Sequence, residues 1–276
     1  MINVKYVSPS GRQFDFICDK IKVSSGNFHS YAWIPDVMNK VVGDAVRGFV
    51  KEAITYQTTI TVRGDLETRK SIMNDMTDAF EYDIIHRTPG TIFYGEYYIK
   101  AYVISSDTGV SDDSIYWSDR AVEFYCPYPK WIRKTGYMFL STEMSSYDNK
   151  TYPGRYPYRY VNSSGDGYII NPNAIESNAE IVIFGPVVNP QITIGKNIYM
   201  VNIILEDAEY LTIDTRTKTI IKTMANGDTV NAFHCRRKGS AFFGKIEPGM
   251  NRVSWTGKFM FSVSIYDERS EPKWIT

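Results

Sequence analysis

ITYQTTITVRGDLETRKSIMNDMTDAFEYDI, residues 54–84, carries two periodicities in one stretch and decides the fold class. In its first part Ile54, Tyr56, Thr58, Ile60 and Val62 alternate with more polar residues, the period of two that turns one face of an extended strand to a core. Gly64 closes that run. From Asp65 the period changes: Leu66, Ile72, Met73, Met76, Ala79 and Phe80 recur at three- and four-residue spacing with charges between them, which predicts a helix buried along one face. Asp65 stands where an N-cap is expected, its carboxylate able to accept from the first turn. This is the one principal α-helix of a chain whose remaining pattern is β.

Outward from this stretch the strand signals continue. Thr88-Pro89-Gly90 reads as a turn. Two extended runs follow, TIFYGEYYIKAYVI at 91–104 and AVEFYC at 121–126, with a polar loop expected over Ser105 to Asp119. At CPYPKWIRK, residues 126–134, two prolines interrupt the strand pattern, and the domain boundary is placed there: 1–133 as a first, β-sandwich-like domain and 134–276 as a second. From Ala179 onward short apolar runs recur at sandwich spacing, EIVIFGPVV, QITIG, IYMVNIIL, EYLTID, KTIIKTM, RVSWTG and FMFSVSIYDE. Asn226-Gly227 between TIIKTMA and TVNAFHC predicts a hairpin with a type I′ turn. No fixed repeat of 20 to 50 residues is present, which argues against solenoids and propellers.

Composition narrows the function classes. Thirty-one basic and 31 acidic residues cancel, leaving no electrostatic footprint for nucleic acid. No run approaches the roughly 18 apolar residues of a membrane helix, and the N-terminal MINVKYVSPSGRQFDF lacks the pattern of a signal peptide, so cytoplasmic synthesis without membrane insertion is expected. Cys18, Cys126 and Cys235 are odd in number and far apart, which fits reduced thiols better than a disulfide framework or a zinc site.

Residues for catalysis do not gather. His29, His86 and His234 have no partner at metal or triad spacing, and no HExxH, GxSxG or phosphate-binding glycine loop occurs. Asp107, Asp112 and Asp113 crowd one loop at spacing unlike an EF-hand, so they are read as solvated turn residues. No catalytic residue, cofactor or metal is expected. The strongest binding signal is YDNKTYPGRYPYRYV, where Tyr152, Tyr156, Tyr158 and Tyr160 with Arg155 and Arg159 offer large, stiff contact area with polar tips. These rings suit an interface, stacking on sugar, or packing of the Ser141 to Gly167 segment onto its own domain.

The order of elements resembles the distal tail protein family of siphophages. The likeness is carried by ITYQTTITVRGD leading into the helix, then GEYYIKAYVI, then AVEFYCPYPKWI. In the second half NPQITI, YLTIDTRTKTI, the turn before VNAF, and IEPGMNRVSWTG with FSVSIYDER carry it. The first 45 residues have no clear counterpart, and the Tyr-rich segment has no place in the pattern. The resemblance implies a first domain that closes into a homo-hexameric ring and a galectin-like antiparallel β-sandwich as the second. It further implies a virion structural protein at the tail tip, assembled in the host cytoplasm, a baseplate component without enzymatic turnover. Its partners would be the tail tube protein, the tail-associated hub or fibre protein, and receptor-binding proteins of an adhesion device. The alternative is a carbohydrate-binding module of a phage tail that contacts host cell-wall saccharide through the Tyr-rich segment. A glycosidase whose two carboxylates come from distant strands is the third reading.

Overall fold

The structure, a computed structural model, describes residues 4–108, 116–141, 158–161, 166–238 and 242–274. The chain divides into two units, Met1–Arg133 with Glu268–Thr276, and Lys134–Asp267. The second unit therefore ends before the C-terminus, and the last segment returns to the first.

Unit 1 begins with β1 (Val4–Val7), β2 (Gln13–Asp15) and β3 (Ile21–Gly26), followed by β4 (Ile34–Asn39) and β5 (Asp44–Val50). Then come β6 (Ile54–Arg63), the helix α1 (Leu66–Ile85), β7 (Gly90–Tyr94), β8 (Tyr97–Thr108), β9 (Trp117–Cys126) and β10 (Trp131–Phe139), the last of which runs across the unit boundary. β8 is the hinge of this architecture. Its first half pairs with β7 and its second half with β9, with the register shifting between Val103 and Ser105. One strand thus serves two layers, β2-β1-β7-β8 and β3-β6-β9-β8. The bulge bends it from one layer into the other, as an extra residue in one strand does. Cross-strand pairing carries β8 and β9 further into the Ser105 to Asp119 stretch than its polarity suggests: Ser106, Asp107 and Thr108 pair with Val122, Ala121 and Arg120.

The alternating residues of β6 behave as their period requires, with Tyr56, Thr58, Ile60 and Val62 buried. On α1 the Asp65 carboxylate accepts from Thr68 N at 2.9 Å, and Met76, Ala79 and Phe80 enter the core. Leu66 stays exposed, while two charged residues go inside. Arg69 donates to Trp117 O (2.9 Å) and Ser118 Oγ (2.8 Å). Asp83 accepts from Ser8 Oγ (2.5 Å) and from the Tyr6 hydroxyl. From β9, Arg120 reaches Met73 O and Thr77 Oγ1, both at 3.0 Å. Most buried polar groups are paired, and these pairs tie the helix to both layers. Gly90 lies so close to the Tyr6 ring that a Cβ there would stand 2.7 Å from Cε2 and nearer still to Oη.

Unit 2 is the sandwich. After β10 come β11 (Tyr158–Val161), β12 (Asp166–Asn171), β13 (Ala179–Phe184), β14 (Val187–Val188), β15 (Gln191–Ile194), β16 (Asn197–Met200), β17 (Ile204–Leu205), β18 (Tyr210–Asp214), β19 (Thr219–Thr223) and β20 (Thr229–Asn231), and finally β21 (Gly249–Trp255) and β22 (Phe261–Arg269). One sheet runs β10-β22-β13-β18-β19-β20 and the other β12-β21-β15-β16. The alternating BiBiBi burial of β13 is the mark of a strand with one face in the core. Ile181, Ile183, Leu211, Ile213, Val263 and Ile265 from the first sheet share a core with Ile169, Ile192, Ile194, Tyr199, Val253 and Trp255 from the second. Each such side chain contributes about 1.5–3 kcal/mol on burial. Among the described residues β13, β18, β19, β20 and β22 pair antiparallel, as do β12, β21, β15 and β16, while β10 and β11 pair in parallel. The β19–β20 hairpin forms, with a correction to its turn. Gly227 alone of the pair is left-handed (φ +90°), and Met224 N and Gly227 N bond to Asp228 O and Met224 O. The turn is not type I′, because Asn226 Oδ1 accepts from Asp228 N (3.0 Å) and serves the longer loop as a local cap.

Candidate assembly surface

The segment 31–51, YAWIPDVMNKVVGDAVRGFVK, folds into a hairpin of β4 and β5 that among the described residues pairs with no other strand. Gly43 turns it, with φ +69° and its carbonyl accepting from Lys40 N at 3.1 Å. Ile34 faces Val50, Pro35 faces Phe49 and Met38 faces Ala45, and the register slips by one residue between Asp36 and Val37. Apolar residues occupy both faces, so no single layer can cover them. Val41 and Val42 at the tip are 103% and 90% exposed, and Phe49, Val46, Val50, Trp33, Ile34 and Met38 are exposed along the shaft. Two-stranded hairpins are marginal in water on their own, and a contiguous apolar surface of this kind marks a contact site. Between β4 and β5, residues 34–50, Asp36 and Asp44 balance Lys40 and Arg47, so the hairpin itself offers shape and apolar area with no net charge.

The arm is anchored at its base. Lys51 Nζ donates to Pro129 O (3.0 Å) and lies over the rings of Trp33 (5.1 Å) and Tyr31 (5.6 Å). Burial, aided by the nearby Lys130 charge, holds the Lys51 pKa below its ordinary value. The sequence reading missed this element. Its signal was an apolar run on either side of Asn39 to Asp44 with a glycine in between, without the strict alternation by which a half-buried strand is recognised.

Of the residues expected to bind, Tyr152, Arg155 and Tyr156 lie outside the described residues. Tyr158, Arg159 and Tyr160 form β11, in register with Gly136, Tyr137 and Met138 of β10. Backbone pairing thus sets this part of the Ser141 to Gly167 segment beside β10, and its Asp166-Gly167 end opens β12. Of the aspartates read as turn residues, Asp107 pairs within β8 and β9, and Asp112 and Asp113 lie outside the described residues.

The histidines are kept apart. His86 stacks on Tyr82 (3.9 Å) at the end of α1, His234 sits in a short 3-10 turn, Phe233–Cys235, and His29 bonds to Tyr94 Oη at 3.1 Å. Among the described residues no three His, Cys, Asp or Glu side chains group as a metal site. Cys126 is buried, which pushes its thiol up to about 12, and Cys18 is exposed. Two of the concave surfaces are a groove of about 310 Å³ lined by Phe80, Ile84, Ile85, Val103 and Ile104, and one of about 690 Å³ in unit 2 lined by Pro186, Val188, Gln191, Trp255 and Lys258. Neither is lined by a pair of carboxylates.

The described residues form a strand-rich first unit with one packed helix and an apolar arm, and a second unit built as a two-sheet sandwich. No protein-family profile matches the chain, and no curated protein matches its sequence. Solved structures do. The crystal structure of the Dit protein of phage SPP1, described as a paradigm of the hub adsorption apparatus in phages that infect Gram-positive bacteria, is similar over 98% of this chain and 99% of that one, with a TM-score of 0.61 at 10% identity. The phage P2 baseplate in its activated conformation is similar over 99% of this chain and 100% of that one, with a TM-score of 0.64 at 12% identity, in both its Ca and its Sr forms. The chain has the fold of these phage hub and baseplate proteins along nearly its whole length.

Proposed function

We propose that the protein is a distal tail protein of a long-tailed phage, a structural subunit without turnover. In this reading the first unit closes into a ring of six copies that joins the tail tube to the tail-tip hub or fibre, and the sandwich lies outside it as the carrier of receptor-binding proteins. The carrying observation is the similarity to phage hub proteins over both units at once, because a shared sandwich alone would say little about role. The arm supports the same reading. Its apolar faces need cover, and rotation-related copies provide it in a closed ring without leaving an open edge.

Mass measurement in solution followed by negative-stain imaging tests it. The expected result is a species of six times the monomer mass with six-fold rings, and tail-tip labelling by antibody on intact virions. A particle that stays monomeric at every concentration, combined with absence from purified tails, overturns the proposal.

A further inference from the structure

We propose that the segment Glu268–Trp274 is a clasp that grips both roots of the apolar arm and sets the direction in which it is presented. The segment begins with the last two residues of β22 and belongs to unit 1. At the root that enters β4, the Trp274 indole stacks on His29, with ring centres 3.9 Å apart and planes 17° from parallel. Glu271 Oε2 stands 3.6 Å from His29 Nδ1, a buried ring nitrogen that has no hydrogen-bond partner among the described residues. At the root that leaves β5 the grip is indirect. Glu268 Oε2 accepts from Tyr128 Oη and from Lys130 Nζ, both at 2.9 Å. Pro129, between those two residues, accepts from Lys51, which directly follows β5. Both ends of the arm thus converge on one short stretch of chain.

The strength of these contacts suits a part that opens. Pro272 is buried, but Trp274 is 72% exposed, and Glu271 and His29 keep some solvent. A stack of this kind contributes modestly, and an exposed ion pair still less. Contacts of that size open in local fluctuations far below global unfolding. Loosening of the clasp frees both roots of the arm, so a partner that engages Glu268–Trp274 alters how the arm is offered.

Hydrogen exchange read by mass spectrometry on the full chain tests this, at concentrations where the protein is monomeric, so that the outcome does not depend on ring formation. Glu271→Ala with Trp274→Ala is expected to accelerate exchange roughly threefold to tenfold, the span of an aromatic stack, in peptides covering 27–33 and 44–51. Peptides of α1 and β6 keep their protection. Parent-like exchange at both roots in the folded variant overturns the proposal. If the double change also loosens α1, an exchanged pair decides. Glu268→Lys alone accelerates the roots and adding Lys130→Glu restores them, whereas no restoration overturns the clasp.

Discussion

Replacing Val41 and Val42 with aspartate is the sharpest perturbation of the assembly reading. Both side chains stand almost entirely in water, so neither contributes to the fold of the free subunit, and thermal unfolding of the double variant is expected to match the parent. In an assembly that covers the tip, each valine contributes about 1.5–3 kcal/mol by burial, so a contact loses roughly 3–6 kcal/mol before the cost of desolvating two carboxylates is counted. Each 1.4 kcal/mol is a factor of ten in affinity, so a subunit contact weakens at least about a hundredfold. Sedimentation velocity across a concentration series reads this directly, with the assembled fraction expected to vanish where the parent is fully associated. Variant and parent curves that coincide refute the reasoning, because they show the tip to be uncovered in the assembly.

Gly90→Ala drives a methyl group into the Tyr6 ring and displaces the hydroxyl that serves Asp83, and overpacking of this kind costs about 1–3 kcal/mol; denaturant titration followed through the unit 1 tryptophans should show it, while Trp255 in unit 2 reports no change. Asp65→Ala removes the cap of α1. Bonding to Thr68 holds the Asp65 pKa below its ordinary value, so the cap's contribution is complete above about pH 4 and fades as pH falls through the lowered folded value, and the stability difference between variant and parent should disappear in acid. Thiol labelling of the native protein near neutral pH should modify Cys18 first and reach Cys126 only on unfolding, because burial keeps that thiol protonated.

The parts legible in the sequence were those in which one face is buried and the other wet. β6, α1 and β13 announce themselves because burial imposes a period on the residue types. Asp65 was legible because a cap is a local device whose partner lies three residues away. Arg69 and Asp83 were not, since their partners Trp117, Ser118, Tyr6 and Ser8 come from distant strands and no local pattern records them. The extensions of β8 and β9 failed for the same reason: Ser106 and Asp107 are held by cross-strand bonds that polarity does not predict. The arm was the largest omission. Its apolar residues are exposed on both faces, so they follow neither the alternation of a core strand nor the polarity of a loop.

The chain leaves unit 1 within β10, returns to it within β22, and pairs these two strands side by side. The sandwich is therefore spliced into its host through a doorway two strands wide, not appended on a linker. A different module whose two ends lie in adjacent paired strands could take the place of unit 2 with the β1–β9 core left as it is, whereas a cut through one strand alone would sever the β10–β22 pairing.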